Sequence, residues 1–262
     1  MEQLSQLINA KEASKEIGNF LFILIRTSIF MGMMPIYGSK NFPSQFKIGF
    51  AVALALLLAP IVDVNITEED RIPSFLAKEV LFSMLFGGAA RFIFTAVNMA
   101  GNFISNSMSL SVATTFDPEF GQSAEVSRLL GIILTLVFVA MDAHHDLLVM
   151  FVMSYELLPP SRIVLDKSMI NAFMGGTKLF IVAIKVASPI MVGMLVANLL
   201  LGLLYKAAPQ INIFFVSFPI FIFVGLLLMI AGMPVMIYVF GLNIANIKND
   251  MYRVMELSTS GR

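Results

Sequence analysis

From Ala207 to Ile247 the chain runs through 41 residues without a charged side chain. A water-soluble domain has no place for such a stretch, and a single membrane span needs only about 20 apolar residues. As one helix, the 37 residues from Ile211 to Ile247 would reach about 55 Å, well beyond the ~30 Å hydrocarbon core of a bilayer. Pro219 and Pro234 lie inside this run. Proline has no N–H and clashes with the preceding turn, so both are expected to kink or break the helix.

The rest of the chain has the same character. Of 262 residues, 58% are apolar and 13% charged, about half the charge usual for a soluble domain. The expected fold class is therefore all-α: an integral membrane protein of several kinked helices. Seventeen basic and seventeen acidic side chains balance to zero, which gives no electrostatic footprint for nucleic acid. There is no cysteine, hence no disulfide framework, thiolate metal site or cysteine nucleophile. No Walker-type glycine-rich loop precedes a Lys-Ser or Lys-Thr pair, so no nucleotide site is expected. No cofactor or metal is expected either, and no enzymatic activity.

Residues 1–16 are polar and lack the short basic start of a cleaved leader. Apolar runs follow at Ile17 to Met34, Ile48 to Val62, Val80 to Ala90, Phe92 to Phe116, Leu129 to Tyr155 and Leu179 to Tyr205. About six helical units are expected. Run lengths are irregular, which suggests that some helices do not cross lipid. Residues 248–262 form a C-terminal tail, and Ser258 to Arg262 read as a cloning remnant.

Four sets of residues can carry function. Thr95, Asn98, Asn102, Asn106 or Ser105, and Ser109 recur at three- and four-residue steps and share a helical face. Asparagine facing lipid is unfavourable, so the stripe faces protein or water. It serves either interhelical hydrogen bonding or the wall of a wet conduit. Ser107 to Ser123 is small and Ser/Thr-rich, with Met108, Phe116, Asp117, Pro118 and Phe120 set in it. It reads either as a surface loop or as a loop tucked into a pore as a seal. Arg26, Arg91 and Lys185 are lone charges inside apolar runs, expected to face the bundle interior and to pair between helices or subunits. Asp142, His144, His145 and Asp146 read as a polar patch at a helix bend. Adjacent histidines on a helix point about 100° apart and do not readily chelate one metal.

The stretch from Gly202 through Lys206, Pro209, Gln210 and Asn212 to Pro219 closely resembles the signature of the FliR family of flagellar export-gate proteins. That family is related to the SctT component of virulence type III secretion. Three further places are similar to it: Arg26 through Pro35-Ile-Tyr-Gly38 and Pro43; Asp117-Pro118; and Asp142-Ala-His144-His145 through Ser154-Tyr155 to Pro159. The family often has glycine where this chain has Ala143.

The resemblance implies a FliP-like helical part over 17–178, with a plug loop at 107–123, fused to a FliQ-like helical hairpin over 179–247. Lys206, Pro209, Gln210 and Asn212 then stand at the hairpin's turn. The implied partners are FliP-like and FliQ-like subunits in one complex, FlhB-like and FlhA-like export proteins, and unfolded flagellar substrates. The implied location is the inner membrane, at the flagellar basal body. The implied role is to help form a channel for unfolded proteins, sealed at rest by the loop. Asn98, Asn102 and Asn106 would face the pore. Two rivals come from other classes. A self-sufficient secondary transporter needs broken helices at the midplane, usually in inverted halves. Pro189, Pro219 and Pro234 supply breaks, but the N-terminal half has no matching pair. An intramembrane serine protease would rest on Gly121-Gln-Ser123 and a distant histidine.

Overall fold

The structure, a computed structural model, describes residues 2–38, 42–62, 72–110, 125–159, 163, 165–207, 210 and 213–258. Among them are eight helices: α1 (Glu2–Met33), α2 (Ser44–Leu58), α3 (Ile72–Ser107), α4 (Glu125–Ala140), α5 (Ala143–Leu157), α6 (Leu165–Ala207), α7 (Ile213–Ala245) and α8 (Ile247–Ser258). No strand pairing organises these residues, so the all-α expectation holds. The polar N-terminal residues continue α1 instead of preceding it. Glu, Gln, Lys, Leu and Ala dominate them, and all are good helix formers.

Four stretches are long and apolar enough to cross a membrane: Glu16–Met33, Pro73–Ser107, Gly175–Ala207 and Phe215–Ser258. The pair α4 and α5 passes the same test only as a broken span. The chain is a membrane protein. Its longest helices exceed a bilayer: the 43 residues of α6 extend about 64 Å. At the other extreme, α2 has 15 residues, about 22 Å, too short to span.

Of the two outcomes expected at the prolines, kink or break, α7 shows no break. The helix runs from Ile213 to Ala245 through both Pro219 and Pro234. Within an apolar surround a freed carbonyl finds no water to reward unwinding, so the backbone keeps its remaining internal bonds. In α6, Pro189 cannot donate to the carbonyl of Lys185. The hydroxyl of Ser188 donates to it instead, at 3.4 Å.

The chain divides into two compact units. One comprises Met1–Arg91, His144–Gly175 and Asn246–Arg262; the other comprises Phe92–Ala143 and Gly176–Ala245. In the first, α1 packs on α2. Ala51, Ala55 and Leu58 are buried on α2, while its bulkier Ile48, Leu56 and Leu57 point outward. Asn19 of α1 donates to the carbonyls of Ala59 and Val62, at 3.1 and 2.6 Å, and so satisfies acceptors that the end of α2 leaves open. The turn after α1 requires Gly38, because a Cβ there would collide with the backbone oxygens of Gly32 and Met34. A Cβ at Gly87 of α3 would sit 2.8 Å from the Cβ of Met33, so α1 and α3 nearly touch there. The helix α8 lays Ile247, Met251 and Met255 inward. It is tied to α5 by Lys248 Nζ to Asp146 at 2.7 Å. Ser258, read from sequence as part of a remnant, is the last residue of α8 and is fully buried.

In the second unit, α4 packs on α7, and α6 meets α7 where Gly193 faces Leu228. The outward surface of this unit is strongly apolar. Leu195, Leu199, Phe223 and Ile230 are all at least 60% exposed, which suits lipid or apolar neighbours rather than water.

Candidate functional site

The first unit is built around Arg26. Its side chain is fully buried, and the carboxylate of Glu79, 1% exposed, lies against it. Nε donates to Glu79 Oε1, and Nη2 donates to Oε2 at 2.9 Å, a two-pronged pairing that matches the guanidinium fork. The remaining donors turn to the end of α5. Nη1 reaches the carbonyl and hydroxyl oxygens of Ser154 at 3.1 and 3.3 Å, and Nη2 reaches the carbonyl of Leu158 at 3.2 Å. A guanidinium has five N–H donors, and five acceptor atoms face it. Two acceptors are backbone carbonyls at the end of α5, where a helix is electron-rich and short of donors. The rings of Tyr155 and Phe82 lie 4.3 and 4.9 Å from the guanidinium carbon, within cation–π range. Tyr155 also donates to the carbonyl of Ile23 at 3.2 Å. Arg26 thus pairs within the chain, linking α1, α3 and α5. Sequence does not single out Glu79; the carboxylates it does, Asp142 and Asp146, are respectively exposed and half-buried.

The second unit presents the polar stripe of α3. Thr95, Asn98, Asn102 and Asn106 are exposed, at steps of three and four residues. The opposite face, with Ala96, Val97, Ala100 and Ile104, is buried. Arg91, one step earlier in the same register, is exposed as well. From 91 to 106 the ladder covers about 22 Å of helix. Ser105, the alternative member, shares the side of Asn98 but is fully buried.

The ladder is braced from behind. Gly101 faces Ser127 of α4 so closely that a Cβ at Gly101 would collide with the Ser127 backbone. The Ser127 hydroxyl shares its proton between the carbonyl of Asn98, at 3.0 Å, and Oδ1 of Asn102, at 2.9 Å. Hydrogen bonding between helices, one of the two readings of the stripe, is therefore present at Asn102. The side chains of the stripe still point away from the chain's own core. The Ser127–Gly101 contact was not foreseen, although a glycine between two stripe asparagines is a visible sign of close approach.

Of the five candidate plug residues, Phe116, Asp117, Pro118 and Phe120 lie outside the described residues. Met108 is described and is 1% exposed. A Cβ at Gly225 of α7 would fall 2.5–2.7 Å from its Cγ, Cε and Sδ, so Met108 fills the notch that this glycine leaves. Ser109 follows at φ 59°, a left-handed residue that closes α3. Met108 is thus packed into the chain's own core. Lys185 is exposed on α6, and Lys206 is exposed in the last turn of that helix, where a cation complements the carbonyl end. Gln210 is exposed; Pro209 and Asn212 lie outside the described residues. Asp142 holds φ 54° in the break between α4 and α5, as expected for a bend.

The model of "Bacterial export proteins, family 1" matches residues 17–247. The flagellar biosynthetic protein FliR of Bacillus subtilis is 30% identical over 250 residues, covering 88% of this chain and 93% of the relative. FliR of Escherichia coli is 31% identical over 225 residues, covering 82% and 84%. FliR of Pectobacterium carotovorum is 30% identical over 215 residues, covering 80% and 82%. With a family model spanning nearly every described helix and relatives matched over most of their length, this chain belongs to the FliR family of bacterial export proteins.

Proposed function

We propose that this chain is a subunit of the flagellar protein export gate in the bacterial inner membrane, and that α3 contributes a wetted wall to the gate's conduit. The observation that carries this reading is the exposed ladder Thr95, Asn98, Asn102 and Asn106 on a helix long and apolar enough to cross a membrane. Amide side chains in contact with lipid tails are unfavourable, so such a face meets water or protein. Amides and a hydroxyl wet a wall with little fixed charge to trap a passing chain. The family's relatives are named for flagellar biosynthesis, and the apolar outer surface of the second unit suits burial among similar helical subunits. FliP-like and FliQ-like subunits are the proposed neighbours, with FlhB-like and FlhA-like proteins beside them and unfolded flagellar proteins as the cargo. The proposed seal at rest is the loop of 107–123. Because Met108 is core, the sealing part is taken as 111–120. Residues 179–247 are proposed as the FliQ-like hairpin and 17–178 as the FliP-like part.

The test is the intact mass of what this chain carries out of the membrane. Expressed with its operon and extracted in mild detergent, it is expected to emerge in a large hetero-oligomer with small helical subunits. Replacing 111–120 by a short Gly-Ser linker should leave that mass unchanged less the deletion, and should raise ion conductance of the assembled gate in planar bilayers. A stable monomer would end the gate reading. An unchanged conductance would end the sealing role alone.

A further inference from the structure

We propose that Lys185 is the docking point for a carboxylate-bearing membrane helix of a different subunit, seated on the outer face of α6. This rests on the reading of the chain as part of a hetero-oligomeric gate. Lys185 lies ten residues inside the apolar stretch Gly175–Ala207, and its side chain is exposed. Among the described residues its ammonium meets no acceptor; only its carbonyl is engaged, by Ser188. Its neighbours on the outer face are apolar and exposed: Phe180, Ile181, Ile184 and Val192. An ammonium in such a setting needs a counter-charge or water.

The chain itself shows how such a charge is accommodated. Arg26, the other cation deep within an apolar stretch whose contacts are known, is matched by the carboxylate of Glu79 from a neighbouring helix. Lys185 has the same need and no such neighbour among the described residues of its own chain. The one buried carboxylate among the described residues, Glu79, is held by Arg26 and is not open to a second copy's Lys185. Charge complementarity therefore asks for an Asp or Glu on a foreign helix, at the level of Lys185. The apolar residues around it supply the contact area, and the pair fixes the register of the two helices.

The test uses the whole gate expressed from its operon. Lys185→Glu should cut recovery of the partner subunits with this chain tenfold or more, while the chain's own level in the membrane holds. Lys185→Met should fall between. Separately, p-benzoylphenylalanine at position 185 is photo-activated in the membrane and the adducts are mapped. The expected adduct is a subunit helix with Asp or Glu within one turn of the crosslinked residue, and converting that acid to Lys should restore assembly of Lys185→Glu. Adducts to lipid only, or to a second copy of this chain, overturn the proposal, as does wild-type recovery of partners with Lys185→Glu. If Lys185→Glu fails to accumulate, the crosslink alone decides. A wild-type chain that carries out no partner subunit removes the gate reading as well, and with it this inference.

Discussion

Glu79→Ala is expected to destabilise the protein by about 3–5 kcal/mol, the loss typical when one member of a buried ion pair is removed. The guanidinium of Arg26 would then be fully buried with two of its five acceptors gone. Arg26→Met should be comparably damaging for a different reason. It strands the Glu79 carboxylate and also removes the donors from the Ser154 and Leu158 carbonyls. The double replacement Arg26→Met/Glu79→Leu should recover most of the loss, because no charge is left without a partner. A remainder of about 1–3 kcal/mol should persist from the open carbonyls at the end of α5. Pulse proteolysis of the chain within the detergent-extracted complex reads all three. A Glu79→Ala chain within 1 kcal/mol of wild type would show that the carboxylate does not hold the guanidinium.

That pair also shows where the sequence was legible. A lone arginine between Ile17 and Met34 marks itself as an interior charge, and it is one. Its partner was hidden because Glu79 stands beside Lys78 at the edge of an apolar run, where acids are ordinarily solvated. Only the register of α3 turns Glu79 inward, together with Phe75, Phe82 and Phe86.

The asparagine stripe was equally plain as a face, since spacing fixes which residues share a side. Spacing does not say what that side meets. Local proline rules allow a kink or a break at Pro219 and Pro234, and the apolar surround favours a helix that stays unbroken. Met108 lies just past the end of α3, as its neighbours' composition suggests, but its burial is not legible there. The notch that holds it belongs to Gly225, 117 positions away, and no local pattern connects the two.

Gly101→Leu is expected to be the most damaging single change in the second unit. A Cβ at this position already collides with the Ser127 backbone, and backbone cannot rotate out of the way as a side-chain end can. The helices α3 and α4 would have to part to admit even the first carbon of the side chain. Parting them breaks the Ser127 bonds to Asn98 and Asn102 and opens the packing around Val126 and Leu130, both buried. Overpacking alone costs about 1–3 kcal/mol, and the lost hydrogen bonds add roughly 1 kcal/mol each. Gly101→Ala should show a smaller loss in the same direction. Ser127→Gly in the Gly101→Ala background should restore little, since the obstruction includes the backbone of Ser127 and not its hydroxyl alone. The functional consequence follows from the geometry: α4 braces the ladder from behind, so displacing it moves Asn98 and Asn102 relative to the rest of α3's exposed face. Export of flagellar proteins should therefore fall at least tenfold with Gly101→Leu, along with recovery of the intact complex. Wild-type export and a wild-type unfolding curve for Gly101→Leu would mean that α3 and α4 do not meet at this glycine.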